Sequence, residues 1–286
     1  MRFWKRTAYA GFQRVGADPI VKHKGLRVSF DVTKDDSPDP NHGTIRIYNL
    51  NPNQVHDIVG GGDWRVYLWA GYDTDDPPLL FVGDITKATT SREGADTITE
   101  IESGDGQDAL SSTKMSKSFS TDIDAGSMLG EMAGSLAENL GMDGKSAEQR
   151  VSSSVNSLVP ETPNPYPRGA TFDGPASHSL SQALRANKLD FTIQDGELII
   201  VRPGFSDQTE AFRISETSGL VSDPGLTDDG RLEITSLLNS ELRPLKAVVI
   251  DTTQFEGVYV IRKVEYKGDT HATDFYANLE LTEDLS

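Results

Sequence analysis

Cysteine is absent from this chain of 286 residues. Its absence excludes a disulfide framework, a thiolate metal site and a cysteine nucleophile, and it fits folding in a reducing compartment. Long apolar runs are missing too: no stretch approaches the ~20 residues a membrane-spanning helix needs. The opening stretch MRFWKRTAYAGFQRVG is basic but has no apolar central region, so no signal peptide is expected. Basic residues are scarce relative to acidic ones, 27 Lys and Arg against 44 Asp and Glu, which leaves a net charge of −17. Such a surface repels phosphate and argues against a nucleic-acid-binding module. The histidines His23, His42, His56, His178 and His271 lie far apart in different predicted elements, so no metal site is expected from them. No G-x-S-x-G, phosphate-loop, H-E-x-x-H or EF-hand pattern occurs, and no cofactor is expected.

The sequence does contain many short strands. LRVSFDV places Leu26, Val28 and Phe30 on one face, and GTIRIYNL alternates Ile45 and Ile47 with Thr44, Arg46 and Tyr48. NPNQVHDIV predicts a short helix with Pro52 near its first position. WRVYLWAGY puts Trp64, Val66, Leu68 and Ala70 on one face. LLFVGDITKATTS, the turn REGAD and TITEIESGDG predict a hairpin. From residue 106 the character changes. AGSMLGEMAGSLAENLG carries Met128, Leu129, Met132, Leu136 and Leu140 at helical spacing, SHSLSQALRANK does so with Leu180, Ala183 and Leu184, and LDFTIQDGELII is a hairpin around Asp195-Gly196. The Ser- and Pro-rich stretch between these helices reads as a long exposed loop. Strands return in LEITSLL, LKAVVIDT, GVYVIRKVEYKGD and DFYANLELT. No period of 20–50 residues repeats, which excludes a solenoid.

The expected fold class is mainly β with an α+β insert. Its domains are a basic N-terminal arm over 1–27, a first β-barrel module over 28–105, an α+β insert over 106–205 with a loop at 141–175, and a second β-barrel module over 206–286. The arm carries Arg2, Lys5, Arg6, Arg14, Lys22, Lys24 and Arg27 against Asp18 alone. It is either a solvated basic terminus or a segment that docks on an acidic neighbour, such as another copy of the chain. On the second reading Phe3, Trp4 and Tyr9 are apolar anchors among the charges of Arg2, Lys5 and Arg6.

Candidate chemistry is sparse. DDSPDPNHG and DTDDPP collect hard oxygen ligands, but their spacing misses the calcium-loop pattern and turn formation accounts for them. Glu100 and Glu102 share one strand face, where a solvated surface outweighs a glycosidase pair. GGGD at 60–63 lacks the strand–turn–helix setting of a phosphate loop. Trp64 and Trp69 fall on opposite faces of one strand and form no sugar-stacking platform.

The closing stretch carries a more specific signal: Gly219-Leu220, Pro224, Thr227-Asp228, Leu237-Leu238-Asn239, Arg243-Pro244, Gly257, Tyr259-Val260, Lys263-Val264, Gly268-Asp269 and Phe275-Tyr276. In this order it resembles the C-terminal part of phage baseplate hub proteins, the family that includes the T-even hub and the tail protein D family of Mu-like phages. GTIRIYNLN, VYLWAGY, LLFVGDIT and GDGQDAL follow the order of that family's N-terminal part. Lys246, where Gly is frequent, and Phe275, where Trp is common, depart from the pattern, and 141–175 matches nothing in it. The resemblance implies two β modules of similar fold and a non-enzymatic structural protein of the virion baseplate, assembled in the host cytoplasm. It further implies a homotrimer with pseudo-six-fold symmetry that joins tail tube protein to spike protein, touches other baseplate proteins and surrounds a channel. DNA would pass through that channel without specific binding, along a wall at least partly lined by negative charge. Two other readings stand beside it: an acidic extracellular glycan-binding or glycan-hydrolysing β protein, and a β-rich module whose acidity reflects a salty habitat.

Overall fold

The structure, a computed structural model, describes residues 5–16, 20–72, 75–141, 144–158, 166–207, 211–222 and 224–285. The first stretch of elements is β1 (Arg6–Arg14), β2 (Val21–His23), β3 (Val28–Asp35), β4 (His42–Tyr48), α1 (Pro52–Val59), β5 (Trp64–Tyr72), β6 (Leu79–Glu93) and β7 (Asp96–Gly104). The middle holds α2 (Gln107–Ser112), β8 (Lys114–Phe119), α3 (Ala125–Asn139), α4 (Gly144–Leu158), β9 (Ala170–Pro175), α5 (Ala176–Arg185), β10 (Asp190–Gln194) and β11 (Glu197–Val201). The last stretch is β12 (Phe212–Ser215), β13 (Gly225–Leu226), β14 (Leu232–Leu237), β15 (Ala247–Asp251), β16 (Glu256–Asp269) and β17 (Phe275–Glu283). These form a β unit of residues 1–35, 41–105 and 204–286, and an α+β unit of residues 36–40 and 106–203.

The β unit is built on one 13-stranded sheet in the order β13-β14-β17-β16-β3-β4-β7-β6-β5-β1-β2, with β15 and β12 branching from β16. The long strand β16 makes this possible. One side of it pairs with β17. On its other side Glu256–Val260 pair with β15, and Lys263–Asp269 pair with β3. The strands before and after the insert therefore belong to one sheet, and among the described residues no pairing closes either set into a barrel. Alternation explains the core: Val28, Phe30 and Val32, then Ile45 and Ile47, Val66, Leu68 and Ala70, Val264 and Tyr266, and Ala277, Leu279 and Leu281 are all buried in one cluster.

The end of β4 shows how local chemistry stops a strand. Asn49 takes φ 59°, a conformation asparagine tolerates. Its side chain bonds both ways across to β7: Nδ2 donates to Asp96 Oδ1 and Oδ1 accepts from Thr97 N. Asn51 then caps α1 by accepting from Asn53 N, with Pro52 in the first turn.

Two expectations are corrected. The basic arm is not one extended segment: Arg6–Arg14 is a strand inside the sheet, in register with β5 from Arg6↔Tyr72 to Arg14↔Trp64. Its inward residues are Ala8, Ala10 and Phe12, all buried, and two alanines carry little hydrophobic signal among so many basic residues. The loop expected at 141–175 contains α4 and β9. Helix α4 buries Ala147, Val151 and Val155, one side chain per turn amid serines.

In the α+β unit, α3 packs on α4 through a glycine stripe. A Cβ at Gly126 would meet Asn156 Oδ1 at 2.6 Å, and one at Gly130 would meet the Glu148 carbonyl at 2.7 Å. Met128, Leu129, Met132 and Leu136 face the core shared with α5, β8, β9 and the β10–β11 hairpin. Asp195 and Gly196 turn that hairpin with φ of 56° and 83°, as a two-residue primed turn requires.

Candidate interaction surfaces

One face of the large sheet is buried, and the other carries a ladder of charge. The residues alternating with the core positions of β6, β7, β4, β3, β16, β17 and β14 are charged or polar, and the register sets opposite signs side by side. Lys87 Nζ lies 2.7 Å from Glu102, and Arg46 Nε lies 2.5 Å from Glu100. Lys267 sits between Asp31 and Glu265, at 3.6 and 3.7 Å. Lys263 bridges Glu265 at 2.8 Å and Glu280 at 3.2 Å, and Arg231 reaches Glu280 at 3.0 Å. The hydrogen bond from Lys263 holds the Glu265 carboxyl below its ordinary range, against the opposing effect of burial. The central part of this face is a hollow of about 580 Å³, lined by Ser29, Asp31, Thr44, Arg46, Tyr48 and Lys267. Every cation named in the ladder has a carboxylate partner, so the face is hydrophilic yet close to charge balance.

At the end of the hollow stands the Gly268-Asp269 pair, whose roles are structural. Gly268 leaves room for the Phe30 ring: a Cβ there would run into Phe30 Cζ. Asp269 accepts from Arg27 Nη2 at 2.8 Å and Nε at 3.2 Å, and from the backbone N–H groups of His271 and Ala272. Thr270 adds a reciprocal pair with Val28, its hydroxyl accepting from Val28 N and its own N–H donating to Val28 O. Burial acts to raise the Asp269 carboxyl, but Arg27 and the two amides outweigh it and hold it below the ordinary range. These bonds clasp the start of β3 to the β16–β17 turn.

Of the six residues expected to dock on a neighbour, Arg2, Phe3 and Trp4 lie outside the described residues. Lys5 is exposed and pairs with Asp75 at 2.9 Å. Arg6 donates to the Ala272 carbonyl and lies over the Phe275 ring, 5.7 Å from its centroid. Tyr9 is only 1 % exposed and stacks on Trp69 with ring centroids 5.1 Å apart, so within the chain it is a packing residue. Burial, with the hydrogen bond to Asp76, pushes its hydroxyl up to about 12.

The remaining candidates have structural partners. Glu100 and Glu102 are the ladder carboxylates of Arg46 and Lys87. Trp69 is stacked on Tyr9 and Tyr67, with Lys22 Nζ 4.6 Å from its centroid. Asp75 and Asp76 hold Lys5 and Lys24. Among the described residues no group of three His, Asp or Glu gathers as a metal site, and no helix is long and apolar enough to cross a membrane.

The two ends of the sheet path carry exposed apolar side chains, Val15 and Val21 beside β2 and Val221 and Leu226 beside β13. Unpaired strand edges of this kind are templates for association. A separate apolar groove of about 540 Å³ is lined by Gly71, Tyr72, Pro78, Phe212, Leu238 and Leu242. Sequence reading missed the ladder and the groove, because both depend on which distant strands become neighbours. The visible signal was only the alternation of charged with apolar residues in VIRKVEYKGD and NLELTE.

No family model matches the sequence, and no curated protein matches it. Solved structures do. The tail protein from Neisseria meningitidis MC58 matches with TM-score 0.60 and 10 % identity, over 98 % of this chain and 97 % of that one. The 43 kDa tail protein of prophage MuSo2 from Shewanella oneidensis matches with TM-score 0.60 and 9 % identity, over 97 % and 98 %. The E. coli c3393 protein is a type VI secretion component described as structurally similar to the T4 tail proteins gp27 and gp5. It matches with TM-score 0.51 and 9 % identity, over 96 % and 77 %. The chain has the fold of these tail proteins.

Proposed function

We propose that this chain is the structural baseplate hub of a phage tail: a homotrimeric ring that joins tail tube to spike and surrounds the channel for DNA. The observation that carries the reading is the end-to-end correspondence of fold with two tail proteins, which spans nearly the whole of each chain. The E. coli c3393 protein, a type VI secretion component with structural similarity to the T4 tail proteins gp27 and gp5, adds support for a place in a tail or a tail-like assembly. On this reading the strands before and after the insert act as a pseudo-repeat within the one sheet, so that three copies offer six strand sets to a six-fold tube. The two unlike edges of the sheet, each with exposed valine or leucine, suit a head-to-tail contact that closes on itself.

On this reading the charge ladder faces the channel. A DNA phosphate gains affinity by exchanging its counterions for protein cations. Here Lys87, Arg46, Lys267, Lys263 and Arg231 already hold carboxylates, and Glu233 lies in register with Glu280 without adding a positive charge. Such a wall wets the polymer and does not hold it. No catalytic step is assigned, since the carboxylates that share a face serve as partners of cations.

Sedimentation of the purified chain, alone and with its tail tube protein, tests the assembly. A particle of three times 31.2 kDa, about 94 kDa, that binds tube protein is expected. A chain that stays monomeric under both conditions contradicts the proposal.

A further inference from the structure

The apolar groove of the β unit adjoins a second hollow, with which it shares Arg213, Thr217 and Ser218. This neighbour, of about 520 Å³, is polar: Glu216 and Asp251 line it against a single cation, Arg213. Arg213 is held by Asp251. The exposed Glu216 accepts from neutral donors, the N–H and hydroxyl of Thr253. The lining therefore holds one carboxylate more than it holds cations. The groove itself also meets an exposed valine: Leu220 bridges to Ser236 of the groove lining, and Val221 beside it is 54 % exposed.

The far end of β1 carries the complementary set. Arg6, at the start of β1, is in register with Tyr72 of the groove, and Arg14, at its end, is in register with Trp64. Eight steps of about 3.4 Å put roughly 27 Å between the two ends. At the far end Arg14 and Val15 are consecutive and exposed, and Val21 of β2, opposite Phe12, is exposed as well. Strand β2 pairs with β1 on one side and, among the described residues, with no strand on the other. Two valines beside a cation thus match an apolar groove beside a surplus carboxylate. The sheet holds these patches apart within one chain, so they can meet only between chains.

We infer that the groove and its acidic neighbour are the acceptor for a second copy of this chain, which presents Arg14, Val15 and Val21 at its β2 end. The partner's Arg14 pairs with Glu216, and the partner's Val15 and Val21 cover the apolar walls given by Phe212, Leu238 and Leu242. Each chain then offers one donor end and one acceptor, a head-to-tail contact of the kind that closes into rings. The inference rests on the homotrimeric reading and names the two surfaces through which that ring closes.

The absence of cysteine makes the contact traceable. Two double variants of the full chain, Val21→Cys with Ser240→Cys and Val15→Cys with Thr217→Cys, place one thiol on each patch. Val21→Cys with Ser91→Cys, on the exposed tip of β6, is the control. Under mild oxidation at least one of the two pairs should give disulfide-linked trimers at least 10-fold faster than the control, read by intact mass and non-reducing gel. Independently, Arg14→Glu and Glu216→Arg should each weaken trimer formation at least 10-fold in sedimentation, and the two changes in one chain should restore it to within about 3-fold of wild type. If the wild-type chain sediments as a trimer, pairs that link no faster than the control, links found mainly within one chain, or losses that add in the double charge variant overturn these surfaces and leave the ring standing. A wild-type chain that stays monomeric removes both the surfaces and the ring.

Discussion

Replacing Asp269 by alanine removes the clasp between the start of β3 and the β16–β17 turn. The carboxylate is 12 % exposed and takes two hydrogen bonds from Arg27 and two from backbone amides. Hydrogen bonds to a charged group contribute about 1.5–3 kcal/mol where they are sheltered. Arg27 is 36 % exposed, so solvent screens its share, and the two amides sit in a turn that water reaches. A net loss of about 2–3 kcal/mol follows. Trp64 and Trp69 lie on β5 of the β unit and Trp4 shortly precedes β1, so tryptophan fluorescence in a urea titration reports this unit. With a slope of about 2–3 kcal/mol per molar urea, the midpoint should fall by about 1 M. The pH dependence has a definite sign. The Asp269 carboxyl is held below its ordinary range in the folded chain. Its contribution is therefore complete above the unfolded value of about 3.9 and disappears as pH falls through the lower folded value. The gap between wild type and Asp269→Ala should be full at neutral pH and close under acid. A deficit below about 0.5 kcal/mol at neutral pH, or one that persists unchanged into acid, refutes the clasp.

Gly268→Ala drives a methyl group into the Phe30 ring and should cost about 1–3 kcal/mol by overpacking; Phe30→Leu in the same chain should recover part of it, and additive losses in a double-mutant cycle contradict the contact. Val155→Asp buries a charge in the α3–α4 packing, where Val155 is fully buried. It should abolish hydrogen-exchange protection over 125–158 yet leave the tryptophan midpoint of the β unit unmoved, whereas a joint collapse contradicts separate units. Glu100→Gln with Glu265→Gln releases Arg46 and weakens the hold on Lys263 and Lys267. The double variant should gain salt-sensitive binding to duplex DNA in fluorescence anisotropy, and DNA binding equal to that of wild type contradicts the ladder's role.

Strands buried on one face were readable from the chain alone. Val28/Phe30, Ile45/Ile47 and Val66/Leu68 alternate with polar residues, and α3 shows its apolar face at a spacing of three and four. Strand β1 was hidden because Ala8 and Ala10 fill its inward positions. Helix α4 was hidden because Ala147, Val151 and Val155 give only one apolar side chain per turn. The clue lay on α3, whose Gly126, Gly130 and Gly134 at four-residue spacing require a close neighbour. Sheet order was beyond local reading, since β16 pairs with β3 across more than two hundred residues, and the ladder's partners follow from that pairing. The resemblance singled out Gly268 and Asp269, but the reason for them, the Phe30 ring and the Arg27 clasp, needed the structure.

Cryo-electron microscopy of the assembled tail tests the central claim most directly, by counting copies of this chain at the junction of tube and spike. Three copies around a three-fold axis, with the face of Arg46, Lys263 and Lys267 turned to the channel, is the predicted result. A single copy, a ring of six, or a channel wall made by the buried face's edges with the ladder turned outward would contradict it.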